Sequence, residues 1–186
     1  MNLCTITTKI HPEDPQPKIV VPFAGTMAFG SSGIFDAVKL NLATQGFLPR
    51  IVKVDRIYSY DFLFRSLWAE GEPFILVEHD IVPWPGALAE LWNCPEPWCG
   101  FPYFIFGELR SQLGCTKFDP GNLGECPLTG DPIEWQVIDK AIEKRLVMRG
   151  QNGHLHSPAV THLNINHSRM ASSVQLNPYF WKAVNA

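Results

Sequence analysis

The chain has 186 residues and a formal net charge of −3, with 46% hydrophobic and 18% charged residues. This length is typical of one domain, and the composition supports a hydrophobic core and argues against wholesale disorder. The acidic balance argues against a broadly basic nucleic-acid-binding protein, and the lack of any 18-residue apolar run predicts no membrane span. The chain has five cysteines, and this odd number favours reduced thiols. The first segment lacks the apolar core of a signal peptide, which, with the reduced thiols, favours a cytoplasmic protein.

The first half of the sequence has the pattern of an α/β protein. Residues 1–17 are polar and contain prolines, which predicts an arm ahead of a single domain over residues 18–186. Short apolar runs, typical of buried strands, then alternate three times with segments of helical spacing. The predicted strands are residues 18–23, 50–54 and 74–77, and the predicted helices are residues 34–45, 60–70 and 85–92. This alternation predicts a mainly parallel sheet flanked by helices.

The second half of the chain is less regular. An aromatic stretch broken by Pro102 predicts an irregular strand over residues 98–106, and a short strand is expected at residues 115–118. A helix is predicted over residues 131–149, because proline and acidic residues begin this segment, basic residues end it and glycine follows. Alternation over residues 154–166 predicts a last strand, which would place three histidines on one face: His154, His156 and His162.

The strongest chemical signal is the acidic turn Glu78-His79-Asp80 directly after an apolar strand. Two carboxylates separated by one residue can reach the same divalent cation where a strand ends. Oxygen ligands suit Mg²⁺ or Mn²⁺, and such an ion would bridge a diphosphate and neutralise a leaving group. The alternative is a solvated acidic loop. Ligands bind at the carboxyl ends of parallel strands in such sheets, and Asp55 is predicted at the end of the second strand.

Histidines and cysteines supply two weaker metal signals. One of the three late histidines is a candidate third ligand beside the acidic turn, and a zinc site made by the histidines themselves is a second possibility. The alternative is histidines without a ligand role. The cysteines at 94, 99, 115 and 126 lack C-x₂-C spacing, so a zinc ribbon is not expected and buried structural thiols are the default interpretation. A cysteine nucleophile would need a neighbouring base.

The glycine-rich segment 24–33 follows the first predicted strand. It matches neither G-x-G-x-x-G nor a phosphate-binding P-loop, because no Gly-Lys-Ser/Thr follows. We interpret it either as a nucleotide contact or as a flexible connection.

Residues 73–91, from the apolar strand through the acidic turn to a helix, resemble the D-x-D segment of family 2-like glycosyltransferases with the GT-A fold. Glu78 and Asp80 take the places of the two acids, with Glu in place of the first Asp. Further pieces follow in the family's order: Ile19-Val20-Val21-Pro22 resembles its first strand, and residues 51–55 resemble its second. Residues 158–162 resemble its late segment, which ends in a metal-binding histidine.

The resemblance implies a compact GT-A-like (Rossmann-like) fold and a glycosyltransferase, with residues 18–92 as the nucleotide-sugar half and residues 93–166 as the acceptor and catalytic half. The implied donor is a nucleotide-diphosphate sugar, most simply a UDP-sugar. Glu78, Asp80 and His162 would hold Mn²⁺ or Mg²⁺. The implied donor-binding residues are Pro22, Phe23, Thr26, Asp55, Glu78, His79 and Asp80.

An inverting enzyme also needs a general base close to the acceptor hydroxyl. The spacing before Gly150 favours Asp139, with Glu134 and then Asp131 as the next candidates. The family's acidic pair is not intact here, because Ile138 stands before Asp139.

The acceptor is open at this point: a glycan, a protein, a small molecule or a modified base in DNA all remain. Aromatic residues in the second half could form an acceptor platform, since sugars stack on aromatic faces, or could simply fill the core. These residues are Trp98, Phe101, Tyr103 and Phe104. Two other functions use the same acids: a metal-dependent nucleotidyltransferase or hydrolase, and a non-catalytic sugar-nucleotide-binding module. The lack of Lys and Arg in residues 24–33 counts against a nucleotidyltransferase.

Overall fold

The computed structural model describes residues 17–23, 31–105, 108–110 and 113–163. Its strands are β1 (Ile19–Phe23), β2 (Arg50–Lys53), β3 (Phe74–Val77), β4 (Ile81–Pro83), β5 (Trp98–Gly100), β6 (Tyr103–Ile105), β7 (Glu108–Arg110), β8 (Cys115–Phe118), β9 (His154–Leu155) and β10 (Val160–His162). Its helices are α1 (Ser31–Thr44), α2 (Ser59–Ala69), α3 (Ala87–Asn93), α4 (Pro120–Leu123) and α5 (Ile138–Met148), with a 3-10 turn at Trp135–Val137. None of these helices is long and apolar enough to cross a membrane. The predicted arm (all but residue 17) and Thr26 lie outside the described residues.

Six strands form the main sheet in the order β2-β1-β3-β8-β5-β9. Strand β1 pairs in parallel with β2 and β3, and β5 pairs in parallel with β9. Only β8 runs against its neighbours in this sheet, antiparallel to β3 and β5. The predicted α/β fold with a mainly parallel sheet is therefore confirmed. Because β1, β2 and β3 point the same way, the loops that follow them lie along one edge.

The core forms two clusters on opposite faces of the sheet. All four residues of β3 are buried, and they alternate between the clusters: Ile75 and Val77 join one, Phe74 and Leu76 the other. Residues of α1 and α3 cover the first face, and residues of α2 and α5 cover the second. Successive strand side chains point to opposite faces, so an uninterrupted apolar run is what a strand covered on both sides requires.

Helix α5 begins later than the sequence predicted. A helix was expected from residue 131, but residues 131–134 are not helical and the α-helix starts after the 3-10 turn. The backbone N–H of Ile133 donates to the buried carboxylate of Asp61 at 3.2 Å, and the N–H of Trp135 donates to a carbonyl of the loop before α2. These tertiary bonds replace the helical ones that Pro132 and the first acidic residues suggested.

The predicted last strand is divided into β9 and β10. Pro158, which cannot donate a backbone hydrogen bond, lies between them. The prediction that all three histidines share one face is wrong: β9 joins the main sheet, whereas β10 pairs antiparallel with β4 in a separate ladder. The short ladder of β4 and β10 aligns His162 with Ile81, directly after the acidic turn.

Candidate functional site

A cavity of about 390 Å³ opens at the carboxyl edge of the three parallel strands. Pro22 of β1, Asp55 after β2 and the acidic turn after β3 line it, together with Tyr60 of α2 and Trp135. Its volume falls in the range of small-molecule binding pockets. The strand order thus brings together side chains that are far apart in sequence.

Glu78 is held by its backbone and faces other acids. Its N–H donates to the carbonyl of Gly114 at 2.8 Å, which fixes the end of β3 against the start of β8. Burial raises the pKa of its carboxyl well above the usual value, and the charges of Asp139 and Asp80 raise it further. A hydrogen bond with the Tyr60 hydroxyl acts in the opposite direction. Burial and like charge together therefore disfavour the ionised carboxylate at this position.

Asp80 is paired with the histidine that the sequence analysis singled out. Its Oδ2 lies 3.3 Å from Nε2 of His162, and its carbonyl accepts the N–H of Leu163 at 2.7 Å. Burial works to raise the pKa of Asp80, but the hydrogen bond and charge of His162, with a contribution from His79, outweigh it and lower the pKa. The carboxyls of Glu78 and Asp80 thus have opposite pKa shifts, because only Asp80 pairs with a histidine.

Tyr103 lies behind His162 and supports it. The two rings stack with centroids 5.4 Å apart and an angle of 9° between their planes, and Tyr103 is only 1% exposed. A Cβ atom on Gly114 would lie 2.6 Å from the Tyr103 hydroxyl and 3.1 Å from Oε2 of Glu78, so a larger residue here would require the Tyr103 ring to shift. Sequence reasoning placed Tyr103 on an acceptor platform, and its burial instead makes it a wall of the acid cluster.

Asp139 faces the same cluster from α5. It lies in the first turn of this helix, and its charge raises the pKa of Glu78, Tyr60 and Tyr103. Burial, with a smaller contribution from Glu143, raises the pKa of Asp139 itself to about 6. A carboxyl group with a pKa near neutrality is suited to accept and release protons.

The other two candidate acids lie elsewhere. Glu134 is exposed and precedes the 3-10 turn, and it is not among the described residues that line the cavity. Asp131 is also exposed, and its backbone carbonyl accepts a bond from Arg65 at 3.3 Å. Trp135, which the sequence analysis did not single out, lines the cavity and is 48% exposed.

The donor-binding candidates that the structure describes are near one another. Asp55 is exposed and pairs with Lys53 at 3.0 Å, a contact that lowers its pKa. The Phe23 ring lies edge-on to His79, with 6.2 Å between centroids, and stacks on Phe35. Asp55 and His79 line the same cavity, and Arg56 is the basic side chain among the described residues that line it.

Most of the predicted acceptor platform belongs to the core. Trp98 is 5% exposed and stacks on Phe118, and its indole N–H donates to the carbonyl of Gln151 at 3.0 Å. It lines a second cavity, of about 170 Å³, away from the acidic turn. Phe101 is fully buried, whereas Phe104 is 61% exposed.

The predicted metal ligands match a divalent cation in kind. Glu78 and Asp80 offer oxygen atoms, His162 offers a ring nitrogen, and the mutual repulsion of the acids is what a cation would relieve. Among the described residues, however, the ligand atoms of these three side chains do not all lie within 4.8 Å of one another. Binding one ion through all three would therefore require a side-chain rotation.

Comparison with known proteins gives similarity to solved structures. Neither a family model nor a curated protein matches the sequence. One similar solved structure is that of a glycosyltransferase involved in the glycosylation of the major capsid of PBCV-1. It is 10% identical to this chain, the alignment covers 80% of this chain and 93% of the other, and the TM-score is 0.48.

Proposed function

We propose that the protein is a metal-dependent glycosyltransferase that transfers a sugar from a nucleotide-diphosphate sugar to a hydroxyl group. The observation that carries this proposal is that Asp55, Glu78 and Asp80 line one cavity of about 390 Å³. His162 pairs with Asp80, and the charge of Asp139 acts on Glu78. A sugar nucleotide needs a nucleoside contact, a diphosphate contact and a proton acceptor. This edge offers residues suited to each.

The nucleoside would bind between the ends of β1 and β2. Asp55 can accept hydrogen bonds from ribose or base, while Pro22 and Phe23 offer apolar surface beside it. His79 completes this part of the cavity. Thr26, outside the described residues, remains a prediction. The donor nucleotide that we expect first is UDP.

Glu78, Asp80 and His162 would hold Mn²⁺ or Mg²⁺. When bound, such an ion supplies positive charge to the diphosphate that leaves. Asp80 is already ionised and oriented by His162, so it is the residue best prepared to bind a cation. The backbone of Glu78 is held by Gly114, and its carboxyl forms a hydrogen bond with Tyr60. A bound cation would take the place of a proton on this carboxyl.

Asp139 is the proposed general base. Its pKa of about 6 leaves most molecules ionised at pH 7, yet still able to hold a proton taken from an acceptor hydroxyl. A base that acts on the acceptor belongs to an inverting transfer. Trp135, half exposed at the cavity, is better placed than Trp98 to stack on a sugar ring.

The first experiment is calorimetric titration with UDP, GDP and UDP-glucose, each with and without Mn²⁺. We expect Mn²⁺-dependent binding of one nucleotide in the wild type and its loss in Asp80→Asn. Asp36→Asn, an exposed acid on α1, is the matched control and should bind like the wild type. Absence of binding to any sugar nucleotide would refute the donor site.

Product analysis separates this function from the alternatives. A glycosyltransferase releases the nucleoside diphosphate, and Asp139→Asn should abolish that release while donor binding persists. A nucleotidyltransferase or a diphosphate hydrolase would instead break the bond between the phosphates and release different products. A binding module would bind the donor without turnover in the wild type.

A further inference from the structure

A second cluster of metal-ligating side chains lies apart from the acidic turn. Cys94 follows α3, Cys99 is in the centre of β5, and His156 follows β9. Their sulfur and nitrogen atoms all lie within 4.8 Å of one another, and among the described residues no other set of three His, Cys, Asp or Glu side chains does so. We propose that Cys94, Cys99 and His156 form a zinc-binding site.

His156 is oriented as a metal-binding histidine is. Its Nδ1 lies 2.6 Å from Oε1 of Glu90, and its side chain is only 10% exposed. The other ring nitrogen, Nε2, is buried and has no hydrogen-bond partner. An unpaired buried nitrogen is costly, and the pairing of one ring nitrogen with a carboxylate is what leaves the other free for a metal.

The donor atoms select the class of metal. Two thiolates and one imidazole suit Zn²⁺ and disfavour Mg²⁺ or Ca²⁺, which prefer oxygen. Each thiol would release one proton to solvent as its sulfur bonds to the ion. The Lys117 side chain, 6% exposed, donates a hydrogen bond to the carbonyl of Cys94.

The charges of such a site balance. Zn²⁺ with two thiolates is neutral, and the negative charge of Glu90 offsets the positive charge of Lys117. In the protein without metal, no carboxylate of the described residues lies within ion-pair distance of Lys117. Zinc binding with release of the two thiol protons therefore adds no net charge to this buried site.

The local backbone favours the arrangement. Pro95 and Pro97 lie between the two cysteines and restrict the connection from α3 to β5. His154 pairs with Cys99 in the parallel ladder, and its ring lies edge-on to that of His156 with 4.6 Å between centroids. His154 is exposed and outside the set of three, so a rotated His154 side chain or a water molecule would complete a tetrahedral site. Zinc here would fasten β9, a strand of two residues, to the end of α3.

The test uses the full chain, purified under reducing conditions and titrated with Zn²⁺ alone and with Co²⁺ alone. We expect about one zinc per chain and, with Co²⁺, the thiolate charge-transfer absorption that oxygen ligands do not give. Cys99→Ser should lose both signals. Cys126→Ser, a cysteine outside the cluster, should keep them.

Two further variants keep the proposal testable if Cys99→Ser fails to fold. Glu90→Gln changes a half-exposed side chain and should weaken zinc binding about 10–100-fold while the fold is retained. Asp80→Asn removes a ligand of the proposed donor site and should leave the Co²⁺ signal unchanged. The zinc site and the donor site can therefore fail independently.

Three results would overturn the proposal. The first is that the folded, reduced wild-type chain binds no Zn²⁺ and shows no thiolate absorption with Co²⁺. The second is a disulfide between the two cysteines in place of the metal. Under non-reducing conditions the chain would then have a mass two hydrogens lower than expected. A reductant would restore the expected mass, and the Cys99→Ser variant would not show the loss. The third is Co²⁺ absorption that persists in Cys99→Ser, together with a Co²⁺ affinity that Glu90→Gln leaves unchanged.

Discussion

Replacement of Asp139 by Asn should stabilise the protein at neutral pH, although we propose this residue as a catalytic base. Burial holds the pKa of this carboxyl at about 6, against an ordinary value of 3.8. The folded state therefore favours the protonated form, and ionisation of Asp139 costs folding free energy. Asn keeps the shape of the side chain and carries no charge.

The pKa values give both the size and the sign of the effect. A difference of about 2.2 pH units corresponds to about 3 kcal/mol at about 1.36 kcal/mol per unit. Because Asp139 is partly exposed to solvent, about 1–3 kcal/mol is the expected range. The stabilising contribution of protonated Asp139 is fully present below pH 4 and is lost as pH rises through 6. The free energy of unfolding of the variant should therefore exceed that of the wild type. This difference should grow between pH 4 and 6 and stay constant above pH 6.

Urea unfolding at a series of pH values from 4 to 8 measures this difference. Glu134→Gln is the matched control, because it removes an exposed acid from the same segment and should give a flat difference. A variant that is less stable than the wild type at pH 7, or a difference that does not change with pH, would refute the burial argument. Loss of turnover together with gained stability would be typical of a residue kept for catalysis.

Two further substitutions test how the site is supported. Asp61→Ala should lower the free energy of unfolding in urea by about 2–4 kcal/mol. The reason is that this fully buried carboxylate accepts hydrogen bonds from Arg65 at 2.5 Å and from the N–H of Ile133 at 3.2 Å. A decrease below about 1 kcal/mol would contradict this role. Gly153→Ala should cost about 1–3 kcal/mol and alter the near-ultraviolet circular dichroism, because the new Cβ would lie less than 3.0 Å from the Trp98 ring. An unchanged spectrum with unchanged stability would show that the ring has room to move.

The elements with a strong local signal were predictable from the sequence. Strand β3 was predicted with its observed bounds, because four apolar residues between a proline and an acidic turn have few other structures available. The placement of Asp55 and the acidic turn at the same sheet edge followed from parallel strand direction alone. In this part of the chain, local pattern and tertiary packing agree.

The errors arose where tertiary contacts outweigh local preference. Residues 131–134 have good signals for a helix start, but they are not helical, and the N–H of Ile133 donates to Asp61 instead. The histidines of β9 and β10 alternate in sequence, yet the two strands belong to different ladders. The approach of Cys94 to His156 depends on the position of β9 at the end of the sheet, which no local spacing encodes. Tyr60 could have been found only as a polar residue on the buried face of an amphipathic helix.

The acid cluster also has a consequence for how the fold responds to cations. Glu78 and Asp139 both have raised pKa values, and each raises the cost of ionising its neighbours. The apolar strand β3 and helix α5 hold these groups together against that repulsion. A divalent cation that binds among the carboxylates of the folded chain would relieve the repulsion and would also stabilise the fold by mass action. Under the proposed function, protons and metal ions would therefore compete for the same oxygen atoms.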